Sequence, residues 1–127
     1  MSNVVDSSGW LEYFAGSRNA AFFAASIEDV GRLIVPSITI LEVFKRVLLM
    51  RGHADALVAA GQMQQGRVVD LDRFLAIEAA SLGAELKLPL ADSVVLATAR
   101  RYGATLWTQD ADFEKIAGVR FIRKRAG

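Results

Sequence analysis

The sequence predicts an α/β fold, a three-layer α/β/α sandwich with a mainly parallel sheet. Short β-branched runs alternate with longer segments whose apolar residues repeat at helical spacing. Few hairpin turn signals lie between the runs, so consecutive strands require helical crossovers and run parallel. An apolar fraction of 53% fits strands that are buried on both faces. Parallel strands end at one edge of their sheet, and ligands bind at that edge in such folds.

Composition limits the classes of function. A chain of 127 residues suits one domain over residues 1–127. The 15 Lys and Arg against 14 Asp and Glu give a net charge of +1, which does not indicate nucleic acid binding by overall charge. The absence of cysteine excludes disulfides, thiolate metal sites and cysteine nucleophiles. No signal peptide or membrane span is recognisable, so we expect a soluble, cytoplasmic protein that self-associates through its apolar surface.

The first half of the chain predicts two strands and four helices. Asp6-Ser7-Ser8-Gly9 supplies helix-capping side chains directly after the β-branched pair Val4-Val5. Leu41, Phe44 and Leu48 repeat at helical spacing and are expected to face inward. The predicted elements are a strand ending at Asp6, a helix through residues 10–14, a helix over 19–30 ended by Gly31, a strand at 33–35 closed by Pro36, a helix capped by Ser37, and a helix over 54–64.

The second half predicts three strands and three helices. Pro89 suits the first turn of a helix, and Val95, Leu96 and Ala99 form the buried stripe of that helix. The predicted elements are a strand at residues 67–71, a helix capped by Asp72, the helix after Pro89, a strand at 105–107, a short helix within 108–118, and a strand at 119–122 before a basic tail.

Four acids, Asp6, Glu42, Asp92 and Asp110, are the candidate site residues. Asp92 opens an apolar helix and the others follow predicted strands, so one sheet edge can gather all four. A single aspartate at a helix start is more often a cap, which is how Asp72 is interpreted. Glu42 has no such role, because a charge inside its apolar helix would be costly if unpaired. Crowded carboxylates without a nearby His or Cys favour Mg²⁺ or Mn²⁺.

Other sites receive weaker support from the residues. His53 is the only histidine, and a surface or capping role explains it better than a catalytic one. Neither of the common glycine-rich nucleotide-binding loops occurs. The basic residues that follow Glu42 (Lys45, Arg46 and Arg51) would be close enough to hold a nucleic acid backbone near the acids, although a solvated helix face explains them equally well.

Four blocks of residues, in order along nearly the whole chain, carry a family resemblance. They are Val4–Ser8, Pro36-Ser37 leading to Glu42, Leu90–Ser93 with Ala97–Ala99, and Thr108–Phe113. Together they resemble PIN-domain ribonucleases, and specifically the VapC-type toxins of type II toxin–antitoxin (VapBC) systems. The fold of that family is the three-layer fold expected above.

The resemblance implies roles for seven residues. Asp6, Glu42, Asp92 and Asp110 would form the catalytic acidic pocket that binds Mg²⁺ or Mn²⁺, with Asp6 and Asp92 as the surest ligands. The hydroxyl groups of Ser93 and Thr108 would orient carboxylates. Asp112 would be a further ligand or only a helix-start acid, and Asp70, which is expected at the same sheet edge, would have no role.

The resemblance also implies an activity and partners. The expected reaction is endonucleolytic cleavage of a single-stranded or loop region of a structured RNA, such as tRNA, by metal-activated water. The products would carry a 5′-phosphate and a 3′-hydroxyl. A homodimer and a cognate antitoxin that neutralises the toxin are expected as protein partners.

Three alternatives stay open at the level of the sequence. A phosphate-accepting receiver module also gathers acids at strand ends, but it requires a lysine where this chain has Thr108-Gln109-Asp110. A phosphatase with a nucleophilic aspartate requires Asp-x-Asp, whereas Ser8 occupies the third position here. A PIN-like scaffold that binds RNA or protein without cleaving would retain the same acids, so only an assay separates it from a nuclease.

Overall fold

A computed structural model describes residues 1–125 as six helices around one parallel sheet. The strands are β1 (Asn3–Val5), β2 (Leu33–Pro36), β3 (Arg67–Val69), β4 (Thr105–Thr108) and β5 (Val119–Phe121). The helices are α1 (Ser7–Ala15), α2 (Ala20–Glu28), α3 (Ser37–Arg51), α4 (His53–Met63), α5 (Arg73–Leu86) and α6 (Leu90–Arg101). Short 3-10 turns occupy Val30–Arg32 and Ala111–Phe113. The predicted three-layer α/β/α class is confirmed.

The strand order is β3-β2-β1-β4-β5, and every neighbouring pair is parallel. Successive residues of a strand point to opposite faces, so Val4 and Val5 enter different cores. Val5 packs with side chains of α1 to α4, including Phe23. Val4 packs with side chains of α5 and α6, including Leu96. Each face of the sheet is therefore covered by its own layer of helices.

Helix α6 is the central element of its layer. All residues from Ser93 to Ala99 are buried, and the helix lies against β1, β2 and β4. A crossover helix runs antiparallel to the strands it connects, so its first turn lies at the carboxyl edge of the sheet. This direction brings Asp92 to the edge where β1 and β4 end. Within residues 1–125, no helix has the length and apolar composition to cross a membrane.

The structure corrects the predicted buried face of α3. Leu41 and Leu48 are 58% and 38% exposed, whereas Thr39 and Val43 are buried. The helix carries apolar residues on nearly every side, so their spacing does not select one face. Packing of α3 against α1 and α4 makes that choice.

Several predicted boundaries also differ from the structure. Helix α2 ends at Glu28, and Gly31 lies inside a 3-10 turn. Ser37 is the first residue of α3 and does not cap it. The cap position is held by Pro36, whose carbonyl oxygen accepts a hydrogen bond from Thr39 Oγ1 at 2.6 Å. Proline likewise occupies the cap position of α6, at Pro89, because its fixed φ suits the residue that enters a helix.

Candidate active site

Asp6 is the most buried acid at the carboxyl edge of the sheet, at 3% exposure. It follows β1 and caps α1, with Oδ1 accepting hydrogen bonds from Gly9 N at 3.0 Å and Ser8 Oγ at 2.7 Å. Its other oxygen accepts from Thr108 Oγ1. Burial raises the pKa of Asp6 to about 6, although these three donors oppose the rise, and the charge of Asp110 adds to it. The carboxylate is thus held rigidly in place.

Asp92, Asp110 and Asp112 form a compact group of carboxylates. Each offers one oxygen, and these oxygens all lie within 4.8 Å of one another. Asp92 comes from the first turn of α6, Asp110 follows β4 by two residues, and Asp112 lies in the following 3-10 turn. That turn is fixed by a hydrogen bond of 2.9 Å from Asp112 N to Asp110 Oδ1. No other group of three such ligands occurs among residues 1–125.

The pKa of Asp92 is raised to about 7. Burial is the largest cause, and the negative charges of the four other candidate acids add to it, in the order Asp110, Asp6, Asp112 and Glu42. No cationic side chain is among the causes of this rise, and no ion pair within residues 1–125 involves these acids. The edge therefore carries concentrated negative charge that the described part of the protein does not neutralise.

Glu42 approaches the same acids from the second turn of α3. It is half-buried, and burial raises its pKa, with the Ser7 hydroxyl opposing the rise and the charge of Asp110 adding to it. Glu42 also lines an open groove of about 640 Å³ between α1, α3 and α4. Arg46 and Lys124 line the same groove. Glu42 and Asp6 both lie outside the 4.8 Å group.

Thr108 links two of the predicted acids. Its hydroxyl donates to Asp6 Oδ2 and accepts a hydrogen bond of 2.9 Å from Asp110 N. Thr108 is fully buried at the end of β4, beside the end of β1. The backbone after β4 and the carboxylate after β1 are therefore held in one arrangement.

The donor set fits a hard divalent cation. All the converging ligands are carboxylates, the chain has no cysteine, and its one histidine, His53, is exposed and packs against Phe44 on α3. Carboxylate oxygens are the ligands preferred by Mg²⁺ and Mn²⁺. Burial and the neighbouring negative charges both raise the pKa of Asp92, and a bound cation would offset the contribution of those charges.

Comparison with protein-family models identifies the family of this chain. The family model described as the PIN domain matches residues 4–119. The chain belongs to the PIN domain family. This assignment does not support the receiver and phosphatase alternatives. No curated protein sequence matches the chain significantly.

Solved structures resemble this PIN domain over nearly their full length. A toxin–antitoxin complex from Klebsiella pneumoniae matches with a TM-score of 0.77 and 25% identity, over 94% of this chain and 96% of the other. VapC20 of Mycobacterium tuberculosis, a toxin that cleaves the sarcin–ricin loop, matches with a TM-score of 0.75 and 19% identity, over 91% and 95%. DNA-bound VapBC from Salmonella typhimurium matches with 0.72 and 21%, over 97% and 98%. The predicted resemblance to VapC-type proteins is confirmed as a likeness of fold.

Ser93 does not have the predicted role in this PIN domain. Its hydroxyl donates to the carbonyl oxygen of Pro89 at 2.9 Å and, more weakly, to that of Leu88 at 3.4 Å. It packs against Gly83 of α5, and neither of its hydrogen bonds is made to a carboxylate. The residue follows Asp92 in sequence, but successive helical residues point about 100° apart, so it faces α5 instead of the acids.

The structure also places acids that sequence position alone left ambiguous. Asp72 caps α5 by accepting from Leu75 N at 2.8 Å. Asp70 is exposed after β3, two strands away from β1. Asp112 joins Asp92 and Asp110 more closely than the sequence indicated.

Sequence reasoning missed three polar residues behind the site, namely Glu12, Asn19 and Gln109. Gln109 and Asn19 are 5% and 2% exposed, and they are hydrogen-bonded to each other across 90 positions of sequence. The only available signal was the position of Gln109 between Thr108 and Asp110.

Proposed function

We propose that this PIN domain is a Mg²⁺- or Mn²⁺-dependent endoribonuclease toxin of the VapC type. The observation that carries the proposal is the convergence of Asp92, Asp110 and Asp112 within 4.8 Å, beside the buried Asp6. The pKa of Asp92 is raised by its burial and, in addition, by the negative charges of these neighbouring carboxylates. Membership of the PIN family and the likeness to VapC-type folds support the same assignment.

The acids divide into two roles. Asp92, Asp110 and Asp112, together with Asp6, would hold the cation, and Glu42 completes the acidic surface. A bound divalent cation lowers the pKa of water and offsets the charge of the phosphate under attack. The Asp6 carboxylate has a fixed orientation, because hydrogen bonds from Ser8, Gly9 and Thr108 allow its side chain little rotation.

The proposed reaction is hydrolysis of a phosphodiester bond. The oxygen of water bonds to phosphorus, the bond from phosphorus to O3′ breaks, and O3′ takes a proton. The products are a 5′-phosphate and a 3′-hydroxyl. The raised pKa of Glu42 makes its carboxylate a better acceptor for the proton of the attacking water than an ordinary glutamate.

The proposed substrate is a single-stranded or loop region of a structured RNA, with tRNA as one candidate. Unstacked nucleotides can bring their backbone to a recessed acidic edge, which a continuous duplex cannot do. The groove beside Glu42 contains three cations, Arg46, Arg51 and Lys124, that would attract phosphates. Cleavage of the sarcin–ricin loop by the similar VapC20 supports a loop substrate.

The proposed protein partners are a cognate antitoxin and a second copy of the chain, all in the cytoplasm. Similar structures include a toxin–antitoxin complex and a DNA-bound VapBC complex, which supports the antitoxin. Helices α3 and α4 expose large apolar side chains, which favours protein contacts on that face. These residues are Leu41, Leu49, Met50, Leu57 and Val58.

The decisive experiment is cleavage of total cellular RNA by purified, antitoxin-free protein. Reactions with Mg²⁺, with Mn²⁺ and with EDTA are compared, using the wild type, Asp92→Asn and the matched control Asp70→Asn. We expect a discrete fragment with metal for the wild type and for Asp70→Asn, and no fragment for Asp92→Asn or with EDTA. End mapping of the fragment then identifies the cleaved RNA.

The alternative outcome would favour the non-cleaving scaffold. If folded wild-type protein binds Mn²⁺ but leaves every RNA intact, the nuclease assignment is wrong for those RNAs. If Asp92→Asn cleaves as well as the wild type, a contaminating nuclease or a different site is responsible.

A further inference from the structure

A buried polar network lies directly behind the acids, and Gln109 is its centre. Gln109 Nε2 donates to Glu12 Oε1 at 3.1 Å and to the carbonyl oxygen of Ser8 at 3.3 Å. Its Oε1 accepts from Asn19 Nδ2 at 2.9 Å. The backbone N–H of Gln109 donates to Ser8 Oγ at 3.4 Å, and the same Ser8 hydroxyl donates to Asp6.

The network extends to two distant segments. Glu12 Oε2 accepts from Asn19 N at 2.8 Å, at the start of α2. Asn19 Nδ2 also donates to the carbonyl oxygen of Arg123, which follows β5, at 3.1 Å. The Gln109 side chain thus joins the loop after β4 to α1 and to the beginning of α2, and the Asn19 side chain extends the network to the segment after β5.

The network lies where a change in its hydrogen bonds would displace residues of the acidic site. In sequence, Gln109 lies between Thr108 and Asp110. Thr108 orients Asp6, and Asp110 is one of the three clustered aspartates. Buried hydrogen bonds are directional, and leaving their partners unpaired away from water is costly. The β4 loop therefore has little freedom while Gln109 keeps its three side-chain contacts. A shift of the loop would move Asp110 relative to Asp92.

We propose that Gln109 is a positioning residue for the acidic site, acting through Glu12 and Asn19 to fix the loop that carries Thr108 and Asp110. The inference rests on the proposed nuclease function, and it assigns to the Glu12–Asn19–Gln109 network the spacing of the carboxylates. The side chain of Gln109 makes its hydrogen bonds with Ser8, Glu12 and Asn19 and not with the clustered acids. It acts by holding the backbone on which two site residues lie.

The test compares Gln109→Met with Val69→Ala. Methionine keeps the length and volume of the glutamine side chain but makes none of its hydrogen bonds. Val69 is a buried core residue of β3, so Val69→Ala lowers the free energy of unfolding without altering the loop after β4. Three quantities are measured: amide hydrogen exchange of Asp110 without metal, Mn²⁺ affinity by calorimetry, and the kcat and KM of RNA cleavage.

We expect Gln109→Met to accelerate exchange of the Asp110 N–H, to weaken Mn²⁺ binding about tenfold and to lower kcat with little change in KM. Val69→Ala should leave all three at wild-type values below its unfolding temperature. The proposal is overturned if Gln109→Met matches Val69→Ala in exchange and in Mn²⁺ affinity. If the wild type binds no Mn²⁺ or cleaves no RNA, the proposed function fails separately, and the exchange of Asp110 alone decides the positioning role.

Discussion

At the scale of residues, identical carboxylates acquire different properties from their surroundings. Asp6 is buried and receives three hydrogen bonds, whereas Asp92 is half-buried and faces four other acids. Both have raised pKa values, but hydrogen bonds restrain the rise for Asp6 and like charges add to it for Asp92. Asp6 is therefore suited to a fixed position in the site, whereas the pKa of Asp92 would change most if a cation neutralised the surrounding charge.

The first residue-scale prediction concerns Thr108. Thr108→Val removes the hydroxyl that donates to Asp6 and accepts from Asp110 N. We expect the pKa of Asp6 to rise above its present value of about 6 and RNA cleavage to slow about tenfold. Carbon-13 NMR titration of the Asp6 carboxyl group measures the first effect. Thr105→Val, on the same strand, is the control, and equal Asp6 pKa values in both variants would contradict the role of Thr108.

The second residue-scale prediction is a pH dependence of stability. The pKa of Asp92 is about 7 in the folded state and near 3.8 when unfolded, so between these values the folded state binds more protons. The stabilisation from Asp92 is complete below pH 4 and is lost as pH rises through about 7. In EDTA, Asp92→Asn should therefore gain in Tm relative to the wild type over this range. A Tm difference that is constant from pH 4 to pH 7 would contradict it.

At the scale of elements, the start of α1 determines where Asp6 lies. Gly9 belongs to the first turn of α1, and its N–H donates to Asp6. A Cβ at this position would lie 2.6 Å from Val5 Cγ1 and 2.7 Å from two ring atoms of Phe23. Helix α1 can approach the sheet this closely only because the residue has no side chain.

The element-scale prediction follows from that close approach. Gly9→Ala should lower the free energy of unfolding by about 1–3 kcal/mol, because α1 must move away from the buried Val5 and Phe23. The control is Gly61→Ala in α4, where an added Cβ meets nothing within 4 Å. That change should raise the free energy of unfolding by about 0.5–1 kcal/mol through helix propensity. Urea unfolding of both variants measures the difference, and similar effects of the two changes would contradict the packing argument.

At the scale of the whole molecule, the strand order creates the site. The chain moves outward from β1 to β2 and β3, then returns past β1 to β4. Such a reversal leaves a crevice at the carboxyl ends of the two strands where the order changes. Asp6 and Asp110 follow the two strands that flank it, and α6 places Asp92 at the same edge.

The whole-molecule prediction is stabilisation by the cation. A ligand that binds only the folded state, at a free concentration 100 times its dissociation constant, raises the free energy of unfolding by about 2.7 kcal/mol. For a domain of this size, that corresponds to a rise in Tm of about 10 °C. We expect Mn²⁺ to produce such a rise for the wild type and for Asp70→Asn, but not for Asp92→Asn. Thermal unfolding at constant ionic strength measures it. An equal rise in Asp92→Asn would show that the ion binds elsewhere.

The fold class and the family follow from the amino-acid sequence alone. Alternation of apolar runs with helical segments required a parallel sheet between helices, and four residue blocks in order carried the PIN resemblance. These features are local or depend only on order along the chain, so they can be recognised without coordinates. The chemistry of the acids also follows directly from residue type.

Which side chains come into contact depends on the three-dimensional packing. The buried face of α3, the turn of Ser93 towards α5, the closeness of Asp112 to Asp92, and the pairing of Gln109 with Asn19 all depend on contacts between distant segments. Periodicity cannot select one face of a helix that is apolar on most sides, and spacing along the chain does not set distances across a sheet edge. The candidate acids can therefore be identified from the sequence by residue type and position, whereas the distances between them are a product of packing.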